Sequence, residues 1–263
     1  MTEIAELTAF LDVLSEAAAK AIMPHFRALL SVEDKGRGTF DPVTVADRAG
    51  EAAMRSLINL HYPRHGIIGE EYGSERPDAE YVWVLDPIDG TRAFITGVPV
   101  WGILIGLLRD RVPMLGMMHQ PFTDERFSGN LREATYRRGA KTSALKTRPC
   151  PSVSQASLFT TSPHLFRGGD AEIYRKYRDL EGKARLARFG CDCYAFAMVA
   201  MGQADIAVET SLQPYDIVAL IPIVVGAGGQ VTGWDGNSAA AGGSVLATGD
   251  SRVHLEALRM LAD

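Results

Sequence analysis

Along this chain, acidic side chains recur where short apolar runs stop. Glu70 follows "HGIIG", Asp86 closes "EYVWVLD", and "DPID" returns Asp89 to the same end after Pro87 and Ile88. Proline fixes a turn dihedral, so two aspartates around it converge at a lower entropic cost than on a flexible loop. Several unpaired carboxylates at one sheet end would repel one another and raise their own pKa values, a penalty that a divalent cation reverses. Hard oxygen donors without a histidine cluster favour Mg²⁺, with Mn²⁺ as the alternative, over zinc or copper. The main-chain carbonyl of Ile88, lying between the acids, is a further candidate oxygen ligand. Acids beside proline and glycine also cap ordinary turns, and spacing alone leaves both readings open.

"GTRAF" follows directly. Gly90 permits a close backbone approach, and Thr91 supplies a hydroxyl and a backbone donor for a water or an anionic oxygen. A helix opening here would aim N–H groups at a phosphate, although a turn glycine and a helix cap would look the same. Other reactive residue types read as structural. His61, His65 and His119 form no zinc motif, and Cys191 and Cys193, one residue apart, match neither a zinc nor a redox pair, so with Cys150 they are expected to be reduced thiols. Phe94 and Trp101 read as core or subunit-contact residues, "RRGAK" at Arg137 to Lys141 as a solvated linker, and "GAGG" lacks the setting of a nucleotide-binding loop.

The elements that must hold the acids follow from hydrophobic period. Ile4, Leu7, Phe10, Leu11, Leu14 and Ala18 predict a long helix from Thr2 to about Leu30, bent at Pro24. "SVEDKGRGTF" predicts a turn or hairpin, and Val45 to Tyr62 a second helix with Asp47 near its start. Strands are expected before Glu70 and Asp86, on both sides of "RDR", and in short pieces from Thr123 to Arg138. A second unit is expected to begin between Arg138 and Ser154, where the chain is polar and carries two prolines. It would contain helices at "DAEIYRKYRDLEG" and "CDCYAFAMVAMGQA" and a strand ending at Glu209. A further helix would run from Asp216 to the glycines, followed by the strand "SVLATGD" and the helix "RVHLEALRML".

Bulk properties narrow the function. A 263-residue chain that is 46% hydrophobic buries a substantial core, and a net charge of -5 argues against nucleic acid as the main partner. Its longest apolar runs fall short of the roughly 20 residues that span a bilayer, so no membrane partner is expected. Acids are interspersed through "MTEIAELTAFLDVLSEAAAK", unlike a basic, continuously apolar leader, and a cytoplasmic protein is expected.

"GEEYG" at Gly69 to Gly73, "WVLDPIDGTRAF" at Trp83 to Phe94 and "PYDIVALIPIVVGAGGQVTGWDG" at Pro214 to Gly236 closely resemble the metal-dependent, lithium-sensitive phosphatases typified by inositol monophosphatase. Within that superfamily, "FDPVTVADR" and "GCDCYAFAMVAMGQADIAVETSLQPYDIVAL" look most like the histidinol-phosphate phosphatase branch. The resemblance implies an α+β layered sandwich, αβαβα, with an N-terminal half (1–143) bearing most metal ligands and a C-terminal half (144–263), usually as a homodimer. It implies two or three Mg²⁺ ions held by Glu70, Asp86, Asp89, Asp216 and the main-chain oxygen of Ile88, with Asp47 and Thr91 activating water. Gly90 and Thr91 would bind the substrate phosphate, and Lys35, Asp41 and Thr44 match a polar segment that closes over the metals. Tyr215 stands where the superfamily often has tryptophan, keeping the aromatic character.

Gly190, Cys191, Asp192 and Glu209 correspond to positions on the leaving-group side. Carboxylates there would suit the ammonium or imidazole N–H of histidinol phosphate, and Glu209 would equally suit a sugar or inositol hydroxyl. The expected activity is hydrolysis of a small phosphorylated substrate, L-histidinol phosphate, to L-histidinol and inorganic phosphate in histidine biosynthesis. The alternatives are an inositol or broad sugar-phosphate phosphatase and a non-catalytic metabolite-binding relative.

Overall fold

A computed structural model of the chain describes residues 3–28, 33–34, 42–168 and 171–262. Leu7, Phe10, Leu11, Leu14 and Ala18 form the buried stripe of α1 (Glu3–Ile22), which ends before the expected bend. Pro24 has no N–H with which to continue the ladder, and Met23–His25 closes as a 3-10 turn. β1 (Glu33–Asp34), inside the stretch expected to form a turn or hairpin, pairs antiparallel with β2 (Pro42–Val43), just beyond it. Lys35 and Asp41 lie outside the described residues. Next comes α2 (Val45–His61), opened by a reciprocal cap in which Thr44 and Asp47 bond each other.

The first sheet comprises β3 (Gly66–Gly69), β4 (Gly73–Glu75) and β5 (Tyr81–Asp89), then, beyond the short α3 (Thr91–Ile95), β6 (Gly102–Arg109), β7 (Val112–Gln120), β8 (Glu125–Gly129), β9 (Ala134–Arg138) and β10 (Lys141–Ala144). Its order is β10-β9-β8-β7-β6-β5-β3-β4, with β3 and β5 parallel and the other neighbours antiparallel. "RRGAK" is therefore the end of one strand and the turn into the next, not a linker: Gly139 takes φ 57° there, and Arg137 pairs with Asp12 at 2.5 Å.

The second sheet is built from β11 (Ser157–Thr160) and, after α4 (Ala171–Lys183), β12 (Leu186–Phe189). Then come α5 (Tyr194–Ala200), β13 (Ile206–Leu212), α6 (Pro214–Ile217), α7 (Leu220–Gly226), β14 (Gln230–Gly233), β15 (Gly243–Thr248) and α8 (Ser251–Ala262). The strand order is β12-β11-β13-β15-β14. The single helix expected after Asp216 is two short ones, because Pro222 cannot donate to the carbonyl of Val218 and its ring crowds it. Burial of Leu220, Ile221, Ile223 and Val224, each contributing about 1.5–3 kcal/mol, outweighs the weak helix propensity of the β-branched residues.

The layers stack as αβαβα: α1 and α2, the eight-stranded sheet, a middle layer of α5, α6 and α7, the five-stranded sheet, and α4 with α8 outside. A row of glycines brings the middle layer close. Gly106, Gly116 and Gly129 lie side by side across β6, β7 and β8, and a Cβ on Gly116 would sit 1.9 Å from the carbonyl oxygen of Ala219. Only hydrogen at these positions lets the α6–α7 junction at Val218 and Ala219, and the first turn of α7, rest on the sheet, and that seat places α6, with Asp216, over the end of β5.

Candidate active site

The strand expected to stop at Asp86 runs on to Asp89 through a bulge. Asp86 pairs with Leu104 and Asp89 with Gly102, so the β5 side holds one residue more than its partner. Pro87, which has no ladder donor, lies within this irregularity, and the amide of Ile88 donates to Asp86 Oδ1 at 2.9 Å. Re-aimed in this way, Asp86 and Asp89 face the same place. Asp216 arrives as the third residue of α6, its Oδ2 accepting from the Gln213 amide at 2.6 Å. One carboxylate oxygen from each of Asp86, Asp89 and Asp216 lies within 4.8 Å of the others. Glu70, just past β3, is not one of this mutually close trio but bonds Asp86 through its side chain, and its amide donates to the Leu85 carbonyl at 3.2 Å.

Such crowding has an electrostatic signature. Burial, and then the charges of Glu70, Asp89 and Asp216, push the Asp86 carboxyl well above the carboxylate range. Burial also raises Asp89, with Asp216 and Asp192 adding to it, against the Cys193 amide that donates to Asp89 Oδ2 at 2.7 Å. A set made only of hard oxygen donors, held in protonation states that a cation would reverse, fits a divalent metal ion. The Ile88 carbonyl accepts from the Thr91 hydroxyl at 3.2 Å, and its second lone pair remains as an oxygen donor.

Around this cluster lie the other expected residues. Asp47 is buried, and its Oδ2 accepts from the Thr44 amide at 2.8 Å and the Thr44 hydroxyl at 2.6 Å. Burial raises its pKa to about 6 against those bonds, with Glu70 adding to the rise. Gly90 takes φ 85°, and a Cβ there would come within 3.1 Å of the Asp192 side chain, so the two halves of the chain touch at this glycine. Asp192 itself lies in the left-handed region, φ 44°, a conformation that the surrounding fold must enforce. Its pKa rises to about 6 through burial, opposed by the charge of Arg92.

A cleft of about 410 Å³ opens beside these groups, lined in part by Arg92, Thr96, Thr161, Ser162, Gly190 and Asp192. Cys191 and Glu209, expected with them, do not line it. The Cys191 thiol points to the Phe189 carbonyl at 3.8 Å. Glu209 is buried on β13, behind Thr161, whose amide donates to its Oε1 at 2.5 Å, while the Thr160 hydroxyl donates to Oε2 at 3.2 Å. Its pKa rises to about 8, mainly through burial. Sequence reasoning missed Arg92 and Thr161 on this wall, along with Glu51 and Arg55, which hold the turn after β3. The last pair was signalled by an i,i+4 acid and base on one helix.

The structural readings of the remaining residues hold. His65 accepts from Trp83 Nε1 at 3.1 Å and stacks between Tyr62 and Tyr81, and burial drives His119 down to about 3. Phe94 and Trp101 pack edge to face at 4.9 Å inside the core, and Cys150, Cys191 and Cys193 are free thiols.

Clustered acids at the junction of two sheets in an αβαβα sandwich are the equipment of a metal-dependent phosphatase, and the chain is an enzyme of that class. It belongs to the inositol monophosphatase family, whose sequence profile matches residues 3–262. It is 42% identical over 271 residues to the bifunctional phosphatase IMPL2, chloroplastic, of Arabidopsis thaliana, covering 99% of this chain and 76% of that one. To the histidinol-phosphatase of Mycobacterium tuberculosis it is 35% identical, over 94% of this chain and 95% of the other. An inositol monophosphatase from Zymomonas mobilis superposes with a TM-score of 0.88 at 37% identity, covering all of both chains. Among the described residues no helix is long and apolar enough to cross a membrane.

Proposed function

We propose that this metal-dependent phosphatase hydrolyses phosphate monoesters of more than one small alcohol, inositol and sugar phosphates among them. The observation that carries the reading is the approach of Asp86, Asp89 and Asp216 to within 4.8 Å, beside an open cleft with mixed donors and acceptors. Thr161, Ser162, Arg92 and Asp192 offer hydroxyl, cationic and anionic groups to a cleft that Ala93, Val98 and Val100 also line, which suits an alcohol carrying both hydroxyls and a hydrocarbon face. A relative named as bifunctional supports breadth. A second reading, histidinol phosphate as the preferred ester in histidine biosynthesis, is favoured by the acids Asp192 and Glu209 near the cleft and by the name of the mycobacterial relative.

In this reading Glu70, Asp86, Asp89, Asp216 and the Ile88 carbonyl would hold two or three Mg²⁺ ions, with Mn²⁺ as the alternative. When bound, the cation would neutralise phosphoryl charge and lower the pKa of water. Thr91, whose hydroxyl hydrogen is given to Ile88, is left to accept from the attacking water and so to orient it. Asp47, with its pKa near 6, takes up the proton that water loses. The Gly90 and Thr91 amides orient the phosphate, while Gly190 and Asp192, backed by Glu209, flank the alcohol, and the Cys191 thiol, turned to the Phe189 carbonyl, takes no part. The remaining expectations belong to the same reading: two chain halves, 1–143 and 144–263, in a homodimer within the cytoplasm, where the three free thiols suit a reducing compartment.

Phosphate release from L-histidinol phosphate, inositol 1-phosphate and fructose 1,6-bisphosphate, with Mg²⁺ and with chelator, tests both readings. Comparable kcat/KM for two or more esters is expected. A preference of a hundredfold or more for histidinol phosphate would replace the broad reading by the second.

A further inference from the structure

We infer that Glu51 and Arg55 form a clamp that fixes the turn carrying Glu70 and thereby sets how tightly the acid cluster holds its cation. The inference rests on the reading of Glu70 as a metal ligand. Glu70, Glu71 and Tyr72 are the three residues that join β3 to β4. The Gly69–Gly73 pair closes this turn, and the direction of its first side chain is set jointly by that closure and by what else grips the backbone around it.

Glu51 supplies that grip. Its carboxylate is fully buried on α2 and accepts from the Glu71 amide at 2.7 Å and the Tyr72 amide at 3.2 Å. Arg55, one helical turn on, donates from Nε to Glu51 Oε1 at 2.7 Å. The same guanidinium reaches the far side of the hairpin, bonding the Gly73 carbonyl through Nη2 and Glu75 Oε1 through Nη1, the latter at 2.7 Å. One planar fork thus ties the helix to both the turn and β4, which a lysine could not do. Room for the carboxylate is made by Gly69, where a Cβ would lie 2.0 Å from Glu51 Oε1. On the opposite side the Glu70 amide is bonded to the Leu85 carbonyl of β5, one residue before Asp86.

Glu70 therefore projects from a backbone pinned on two sides, and its carboxyl meets Asp86 already oriented. Orientation of ligands before binding strengthens metal affinity, and outer-shell partners of ligands typically contribute about tenfold or more. Glu51 and Arg55 are positioning residues in this scheme, with no contact to substrate required of them.

The test uses Glu51→Gln, Glu75→Gln and Glu70→Gln in the full chain. Mn²⁺ affinity is read by electron paramagnetic resonance, and amide exchange of the 69–75 segment by mass spectrometry on the metal-free protein. Glu51→Gln is expected to weaken Mn²⁺ binding about tenfold and to speed exchange in that segment, with exchange elsewhere in the eight-stranded sheet unchanged. Glu75→Gln, at the half-exposed end of the network, is expected to move both readouts the same way by less, and it decides the matter if Glu51→Gln does not fold. Unchanged Mn²⁺ affinity in the folded variant, or weaker affinity without faster exchange at 69–75, overturns the clamp. If Glu70→Gln binds Mn²⁺ like the wild type, the reading of Glu70 as a ligand fails instead.

Discussion

Replacing Asp89 by asparagine changes the charge of the acid cluster while nearly preserving its shape. The asparagine carbonyl can still accept from the Cys193 amide, so the backbone contact at 2.7 Å survives. Two full charges 4.8 Å apart, the outer limit for Asp89 and Asp216, repel by about 3.5 kcal/mol at an effective dielectric of about 20. Shared protonation relieves part of this, as the raised Asp89 and Asp86 carboxyls show; with about half of the repulsion remaining, the neutral side chain recovers about 1–2 kcal/mol. Metal-free Asp89→Asn should therefore melt roughly 3–6 °C above the metal-free wild type. Added Mg²⁺ should have the reverse ranking. At a hundred times its dissociation constant it stabilises the wild type by about 2.7 kcal/mol, a further rise of roughly 5–10 °C that the variant should largely lose along with turnover. Thermal melts in chelator and across a Mg²⁺ series check this. A variant that melts lower than the wild type without metal, yet keeps the full Mg²⁺ shift, would refute the account of the cluster as mutually repelling cation ligands.

Two other groups make independent predictions. Glu209 has a folded-state pKa of about 8, above its unfolded value, so the native state binds the extra proton and loses stability as pH rises from about 4.5 to 8. Glu209→Gln should flatten the melting temperature across that window, raising it at pH 8 by a shift equivalent to a few kcal/mol at most; an unaltered slope counts against the buried carboxyl as its source. Asp205, 2% exposed, accepts from Arg148 at 2.7 and 2.6 Å and from the Ser157 amide at 2.7 Å, tying β11 to the turn before β13. Asp205→Ala should lower stability by about 2–3 kcal/mol in urea unfolding, discounted for the partly exposed Arg148, and a change under 0.5 kcal/mol would contradict that role.

How much was legible from the residues depended on range. Short-period signals read well: the stripe of α1, the strand entering Asp86 and the opening of α2 at Thr44 all follow from neighbours in sequence. Errors arose where proline met a periodic run, at Pro24 and Pro222, because a missing donor breaks a helix that hydrophobic period alone would continue. The bulge at Pro87 escaped for the complementary reason, since apolar period marks where a strand is buried and not where its register slips. The polar stretch around Gly139 read as a linker because an exposed edge hairpin buries almost nothing to betray it. In the site, the convergence of Asp86 and Asp89 was visible in "DPID", whereas their meeting with Asp216 is a long-range fact that spacing cannot carry. Cys191 and Glu209 were assigned to the cleft by resemblance, and only side-chain direction shows them turned away from it or buried behind it.

Because Asp216 completes a trio begun by Asp86 and Asp89, the gathering of acids does not exist in any shorter stretch of the polypeptide. During synthesis, a ribosome must have extruded the chain past Asp216 before the last carboxylate can reach its companions. A fragment that stops short of α6 carries only two members of the trio.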